Sequence, residues 1–169
     1  MPLSRQILKP VRLRFVLLTF VIALALQSIP WGTAARDLLP DFVALLLLYW
    51  CMNQPRVVGV GWAFWLGIML DIVDRNVFGQ HSLAYCLTSW LVLSRQRQLA
   101  MFPMTQQVLY IAPLLLANQV IMVLVRLAID HVFPGWLFFI GSFTGALLWP
   151  LFSQLLQIPQ RVEKPVEIE

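Results

Sequence analysis

The chain has 169 residues, of which 60% are hydrophobic and only 12% are charged, and its formal net charge is +4. A soluble domain of this size would carry about twice that share of charged residues. The apolar residues also form runs without a polar stripe, which is typical of helices surrounded by lipid and by other helices. The composition therefore excludes an ordinary soluble domain and indicates an integral membrane protein.

Six membrane-spanning helices are predicted, and they occupy most of the chain. Each crossing needs about 20 residues, so six crossings leave short loops and two tails, with no room for a soluble catalytic domain. We expect residues 1–158 to form one compact all-α bundle and residues 159–169 to form a disordered cytoplasmic tail. The predicted spans are residues 14–29, 40–53, 57–73, 82–94, 108–126 and 136–156.

Turn residues and helix-breaking residues mark the ends of the first three spans. The first span follows a basic segment, as in a signal peptide, but we expect it to be retained because further spans come after it. The second span opens at Pro40 and Asp41, where a proline costs little and a carboxylate meets the positive end of the helix. The four residues from Asn53 to Arg56 form a tight turn, so the second and third spans are predicted to be an antiparallel hairpin.

Charge and proline mark the boundaries of the later spans. In residues 95–98 two arginines alternate with two glutamines, and this stretch is predicted to be an inner loop. Pro113 lies inside the fifth span and is a candidate kink. The sixth span is predicted to begin at Trp136, just after a proline and a glycine that mark the last outer loop.

The distribution of Lys and Arg over the loops predicts the orientation in the membrane. With six crossings, nine of the 12 basic residues fall on one face, namely Arg5, Lys9, Arg12, Arg14, Arg56, Arg95, Arg97, Arg161 and Lys164. Only Arg36, Arg75 and Arg126 fall on the other face. Short loops rich in Lys and Arg stay cytoplasmic, so both termini are predicted to lie inside. The positive charge is thus assigned to topology and to contact with anionic lipid, and not to nucleic acid.

Several classes of functional site are missing from the sequence. It has no glycine-rich phosphate loop, no paired-cysteine zinc pattern and no pair of histidines at metal spacing. We therefore expect no catalytic residue, no cofactor and no bound metal. His81 and His131 both fall in predicted outer loops, where a lone histidine is expected to be solvated.

Two aspartates are predicted to lie at the same depth in the membrane. Asp41 and Asp71 are each 15 residues from Arg56, which places both about 22 Å from the cytoplasmic turn. A charge near the outer edge of the hydrocarbon layer needs water or a partner. Arg75 can pair with Asp71 one helical turn away, and Arg36 can pair with Asp41. Two interpretations stay open: the carboxylates end or cap helices, or they line a polar recess or partner contact that faces the periplasm.

Small residues at a spacing of four predict close helix packing. Gly59, Ala63 and Gly67 form an oblique row on the third span, and Gly141 and Gly145 form a G-x-x-x-G step on the sixth. Such rows let another backbone approach closely. Packing within this one bundle is favoured over a subunit interface, because six helices offer many internal contacts.

Four segments in the middle of the chain carry a family resemblance. They are Leu39-Pro40-Asp41-Phe42 through Tyr49-Trp50, then Gly61-Trp62-Ala63-Phe64, then Gly67-Ile68-Met69-Leu70-Asp71, and finally Gly79-Gln80-His81. This set resembles the rod shape-determining protein MreD family, and most of the likeness lies in residues 36–94.

The resemblance implies a non-enzymatic component of the bacterial cell-elongation machinery in the inner membrane. Family members act with MreC, and indirectly with the actin-like MreB, the polymerase RodA and a class B penicillin-binding protein. The family is also similar in fold to the substrate-binding subunits of energy-coupling-factor vitamin transporters. The resemblance marks Asp41, Asp71 and Gly79 as family-pattern positions, and Arg75 is a further candidate for partner contact.

A substrate-binding subunit of a small-molecule transporter is the alternative function. It is favoured by the six predicted helices and by Asn118 and Gln119, two amides predicted to lie in the middle of the membrane. Such amides usually form hydrogen bonds with neighbouring helices, but they could also line a ligand site. Against this alternative, Ala23 and Ala25 do not have the A-x-x-x-A spacing that such subunits present to their coupling partner.

Overall fold

The structure is a computed structural model, and it describes residues 12–30, 32, 38–74 and 78–160. These residues form six α-helices and two short 3-10 helices, with no β-strand among them. The α-helices are α1 (Leu13–Ser28), α2 (Phe42–Asn53), α3 (Val60–Asp74), α4 (Gln80–Leu99), α5 (Met104–Asp130) and α6 (Ile140–Gln157), and the 3-10 helices are Trp136–Phe139 and Ile158–Gln160. Following the predicted orientation, the end of the bundle with Asp41 and Asp71 is called the outer end, and the end with Arg56 the inner end.

Helix α2 lies at the centre of the bundle. It packs against α1, α4 and α6, while α4 also contacts α3 and α5. Every residue from position 43 to position 52 is buried, as expected for a helix that is apolar on all sides. Within lipid, association of the helices depends on close packing and on hydrogen bonds between helices. An example is the Trp50 indole N–H, which donates to the Thr19 hydroxyl of α1 at 3.1 Å.

The outside of the bundle is covered with large apolar side chains. On α6, Phe143, Leu147, Leu151 and Leu155 are all more than 60% exposed and recur at every fourth position. So much apolar surface is unusual on a soluble monomer and suits contact with lipid. Two helical stretches are long and apolar enough to cross a membrane, Met104–Asp130 and Trp136–Gln157, while α1, α2 and α3 are apolar but shorter.

Helix α4 differs most from its prediction. Residues 95–98, predicted to be an inner loop, are helical, and α4 ends only at Leu99. Arg and Gln are good helix formers, so the charged residues mark the predicted membrane boundary and not the end of the helix. The chain turns at residues 100–102, before Pro103 at the N-cap of α5.

Helix α5 is longer than predicted, whereas α6 begins only at Ile140, because the first four residues of the predicted sixth span form the 3-10 helix Trp136–Phe139. Helix α5 starts at Met104 and continues to Asp130, with Pro113 accommodated inside it. The described structure continues past residue 158, since Gln160 is buried and its amide donates to the Tyr49 hydroxyl at 3.2 Å. The rest of the predicted tail, residues 161–169, lies outside the described residues.

Candidate functional site

The outer end of the bundle contains a group of residues that contact one another through polar atoms, which we call the outer polar junction: Asp41, Asp71, Gly79, His81, Tyr85 and Asn118. All are buried except Asp41 and Gly79, which are partly buried. Four helices contribute to it, because Asp41 precedes α2, Asp71 lies on α3, His81 and Tyr85 on α4 and Asn118 on α5. Both aspartates that the sequence places at one depth belong to this junction.

Asp71 caps the amino terminus of α4 from the neighbouring helix α3. Its side chain is buried, and its Oδ2 accepts the Gly79 backbone N–H at 2.9 Å. Its Oδ1 accepts the His81 backbone N–H at 3.1 Å and lies 2.7 Å from His81 Nδ1. The first N–H groups of a helix have no partner within the helix and carry its positive end. The carboxylate therefore supplies the acceptors that this helix start lacks.

Two glycines allow α3 and α4 to meet in this way. A Cβ atom added to Gly67 would lie 2.4 Å from both the Cα and the N of Ser82, so a side chain cannot fit without moving the backbone of α4. Gly79, the N-cap residue of α4, has φ +91°, a left-handed conformation that glycine adopts without steric penalty. The Gly67 to Asp71 motif and the Gly79 to His81 motif thus contact each other directly.

Asp41 connects three helices. Its Oδ1 accepts the Ala44 backbone N–H at 2.9 Å, which makes it the N-cap of α2, as the sequence predicted. The Tyr85 hydroxyl donates to the same carboxylate, at 2.8 Å from Oδ1 and 2.7 Å from Oδ2. The amide of Asn118 donates to Oδ2 at 3.4 Å. One carboxylate therefore links the start of α2 to α4 and α5.

His81 and Tyr85 join the two carboxylates into one junction. They lie one turn apart on α4, and their rings meet edge to face with centroids 5.8 Å apart. The prediction of a solvated loop histidine is wrong, since His81 is the second residue of α4 and is buried. Sequence reasoning missed Tyr85 altogether. Its position one helical turn after His81 could have indicated a role beside that residue, because a buried tyrosine hydroxyl usually has a hydrogen-bond partner.

The predicted cation partners of the aspartates are not described. Arg75 and Arg36 both lie outside the described residues. The described side-chain partner of Asp71 is His81, and the pairing of Asp71 with Arg75 stays a prediction. Capping, the first of the two interpretations left open, accounts for the backbone N–H contacts of both carboxylates. Their side-chain contacts, from His81, Tyr85 and Asn118, instead connect helices.

The predicted packing residues divide into two groups. Ala63 and Gly67 are buried on α3, and Gly141 and Gly145 are buried on α6. A Cβ at Gly145 would lie 3.0 Å from a Leu115 methyl carbon of α5, so this glycine serves packing within the bundle. The prediction for Gly59 is wrong: it precedes α3, and an added Cβ would have no neighbour within 4 Å.

Two further hydrogen bonds near the junction join α5 to the 3-10 helix Trp136–Phe139 and α6 to the segment before α2. The amide of Gln119 donates to the Phe138 carbonyl at 2.9 Å, and the Thr144 hydroxyl donates to the Leu38 carbonyl at 2.9 Å. Both mid-membrane amides of α5 therefore bond to neighbouring elements, as predicted. Within the described part of the chain, no group of three or more His, Cys, Asp or Glu side chains could hold a metal ion.

Comparison with known proteins identifies the family. Residues 9–158 match the family described as rod shape-determining protein MreD. The chain is 28% identical over 149 residues to the rod shape-determining protein MreD of Haemophilus influenzae, an alignment that covers 88% of this chain and 92% of that protein. No solved structure matches. Because the family match covers most of the sequence, this chain belongs to the rod shape-determining protein MreD family.

Proposed function

We propose that this chain is a non-enzymatic scaffold in the bacterial inner membrane that maintains rod shape. It would link the cytoskeleton to peptidoglycan synthesis through MreC, with MreB, RodA and a class B penicillin-binding protein as indirect partners. The observation that carries the proposal is the convergence of the family's two motif segments, Gly67 to Asp71 and Gly79 to His81, in one buried junction. Its hydrogen bonds cap and join helices, which suits a rigid support.

The proposal includes six membrane crossings with both termini in the cytoplasm. Among the described residues, the inner end carries five arginines and the outer end carries Arg126; the five are Arg12, Arg14, Arg56, Arg95 and Arg97. This distribution supports the orientation given by the positive-inside rule. The shortest helix, α2, spans only about 18 Å, which is less than the thickness of the hydrocarbon layer. Because other helices enclose α2, non-helical backbone buried in the protein can complete the crossing at its two ends.

We also propose that the bundle shares the fold of the substrate-binding subunits of energy-coupling-factor transporters. An experimental structure superposed on such subunits would test this. The amide nitrogens of Asn118 and Gln119, the two residues suggested as a ligand lining, donate to Asp41 and to the Phe138 carbonyl, and these bonds support the scaffold over a transport function.

The proposed contact with MreC lies at the outer end, beside Gly79. The turn before α4 exposes 67% of the Phe78 side chain. Asp71 holds this turn through the Gly79 backbone N–H. In this proposal Asp71 and Gly79 position the turn, and the exposed Phe78 makes the contact; Asp41 and Arg75 are further candidates.

Depletion in a rod-shaped host tests the proposal. Cells that lose this protein should become round, and plasmid-borne wild-type protein should restore rods. Gentle detergent extraction of the tagged protein should recover MreC. Cells that keep their rod shape after complete depletion would overturn the proposed function, and a failure to recover MreC from rods would remove the proposed link.

A further inference from the structure

Helices α3 and α4 form one side of the bundle, which we call the short flank, and both stop at the outer polar junction. Helix α3 ends three residues after Asp71, and α4 begins at Gln80. The Gly79 backbone N–H bonds to Asp71, so the chain is back at the depth of Asp71 when α4 starts. The helical part of the short flank therefore extends only about 5 Å past Asp71.

Helix α5 continues well beyond the same junction. Its Asn118 bonds to Asp41, and the helix runs on for 12 residues to Asp130, a rise of about 18 Å. Asp41 also bonds to Tyr85, which lies one turn from the α4 residue that contacts Asp71, so the two aspartates differ in depth by at most about 5 Å. With this offset subtracted, α5 still extends past α3 by at least about 8 Å at the outer end.

The part of α5 beyond the junction has an apolar surface. Val120, Leu124 and Ile129 are all exposed there. The helix Met104–Asp130 is apolar enough to cross a membrane, and its length of about 40 Å exceeds that of a hydrocarbon layer of about 30 Å. We therefore expect hydrocarbon to cover α5 past the depth of the junction.

The short flank cannot match a layer of that thickness. Helix α3 has 15 residues and is about 22 Å long. On α4 the exposed large apolar side chains extend from Leu83 to Leu91, and the exposed Arg95 lies about 21 Å from His81. Tilting does not remove the deficit, because a tilted helix covers a smaller depth. Non-helical backbone does not remove it either, since its polar groups have no partner in lipid.

The exposed side chains of α3 suit lipid better than a second copy of this chain. Helices that pack in a membrane meet through small residues, but Ala63 and Gly67 are already buried inside the bundle. The residues left on the outside are large and apolar, namely Trp65, Met69 and Ile72. A bilayer adapts to a helix that is too short by thinning, at a modest cost.

We propose that the outer leaflet is thinned beside the short flank, so that the surface of the hydrocarbon layer descends by about 8 Å from α5 to α3. The partner of this flank is the phospholipid bilayer, with acyl chains that cover a smaller depth than those beside α5. The proposal concerns the fit between the bundle and the bilayer alone. It can fail while the role in cell shape holds, and the reverse.

Depth measurements on the full chain in dioleoylphosphatidylcholine vesicles test this proposal. In a Cys86→Ala background, where the remaining native cysteine is buried, Ile72→Cys and Leu124→Cys are each labelled with a fluorophore. The two native side chains are matched, at 60% and 59% exposed. Ile72 lies about 2 Å past Asp71, whereas Leu124 lies about 9 Å past Asn118 and is further out even after the depth offset.

A nitroxide quencher attached to lipid headgroups should nevertheless quench the label at Ile72 at least about twofold more strongly, because the thinned leaflet brings headgroups to α3. In dimyristoleoylphosphatidylcholine vesicles, whose shorter chains suit the short flank, this excess should disappear. Melting temperatures equal to that of the wild type show that both labelled variants are folded.

Three outcomes would overturn the thinning. Equal quenching of the two labels, or stronger quenching at Leu124, would mean that the leaflet is flat. Persistence of the excess at Ile72 in the shorter lipid would mean that the position of the label, and not the thickness of the leaflet, sets the result. A label at Ile72 that neither headgroup nitroxides nor brominated acyl chains can quench would show that protein, and not lipid, covers the short flank.

Discussion

Asp71 on α3 and His81 on α4 hold each other through two contacts, a 3.1 Å hydrogen bond from the His81 backbone N–H and a 2.7 Å approach of the His81 ring nitrogen. The same carboxylate accepts the Gly79 backbone N–H. One buried side chain thus orders the start of α4 and the turn before it. A partner that binds this turn would therefore depend on Asp71 even without contacting Asp71 itself.

Replacing Asp71 with alanine should destabilise the bundle and weaken MreC recovery together. The change leaves the buried His81 N–H and the partly buried Gly79 N–H without this acceptor, and the loss for a buried group is about 1–3 kcal/mol. Asp71→Asn keeps one acceptor oxygen and should lose less. Thermal unfolding of the purified variants in detergent, followed by co-purification of MreC, measures both effects. An alanine variant that melts like the wild type would show that the carboxylate contributes no net stability.

Tyr85→Phe tests the link between Asp41 and α4. The variant removes one hydroxyl that donates to a partly buried carboxylate, and such a bond to a charged group contributes about 1.5–3 kcal/mol. Tyr110→Phe is the matched control, because Tyr110 lies on α5 and its hydroxyl has no hydrogen bond within the described structure. We expect a lower melting temperature for Tyr85→Phe and a change within about 0.5 kcal/mol for the control. Equal melting of the two variants would contradict the role given to Tyr85.

The periodic features of this chain could be predicted from its sequence, and its long-range pairs could not. Runs of apolar residues place all six helices, and Pro40-Asp41 places the start of α2. The bond between Tyr85 and Asp41 joins residues 44 positions apart, and no periodicity encodes such a distance. The row of small residues likewise does not reveal that Gly67 contacts α4 while Gly59 faces open space. The hydropathy pattern also did not predict that residues 95–98 are helical. Hydropathy indicates where the apolar, lipid-facing segment ends, and a helix can continue beyond that point.

Replacing two glycines of α3 with alanine should affect stability differently: the change should be destabilising at Gly67 and neutral or stabilising at Gly61. At Gly67 the new Cβ would meet the Ser82 backbone at 2.4 Å, so α3 and α4 must separate, which we expect to lower stability by about 1–3 kcal/mol. At Gly61, in the first turn of the same helix, the Cβ would meet nothing within 4 Å. There alanine should be neutral or stabilise by up to about 1 kcal/mol through its higher helix propensity. Chemical or thermal unfolding of both variants decides the matter, and a stabilised Gly67→Ala would refute the close approach.

Gly79→Ala should strain the turn that precedes α4. The backbone there has φ +91°, where an L-residue costs roughly 1–2 kcal/mol. Asparagine tolerates left-handed conformations better, so Gly79→Asn should be milder than alanine although its side chain is larger. Melting temperatures should rank wild type above Gly79→Asn and Gly79→Ala last. The reverse order for the two variants would indicate that space, and not backbone conformation, limits this position.

Cysteine labelling tests the orientation of the bundle directly. In a Cys86→Ala background the remaining cysteine, Cys51, is buried, so a new surface cysteine can report its own side of the membrane. Ala100→Cys lies in the turn after the arginines of α4, and Val132→Cys lies beyond Asp130 at the other end of α5. Because short loops rich in arginine stay in the cytoplasm, a membrane-impermeant maleimide should label Val132→Cys in intact spheroplasts and Ala100→Cys only after permeabilisation. Labelling of Ala100→Cys in intact spheroplasts would contradict the predicted orientation.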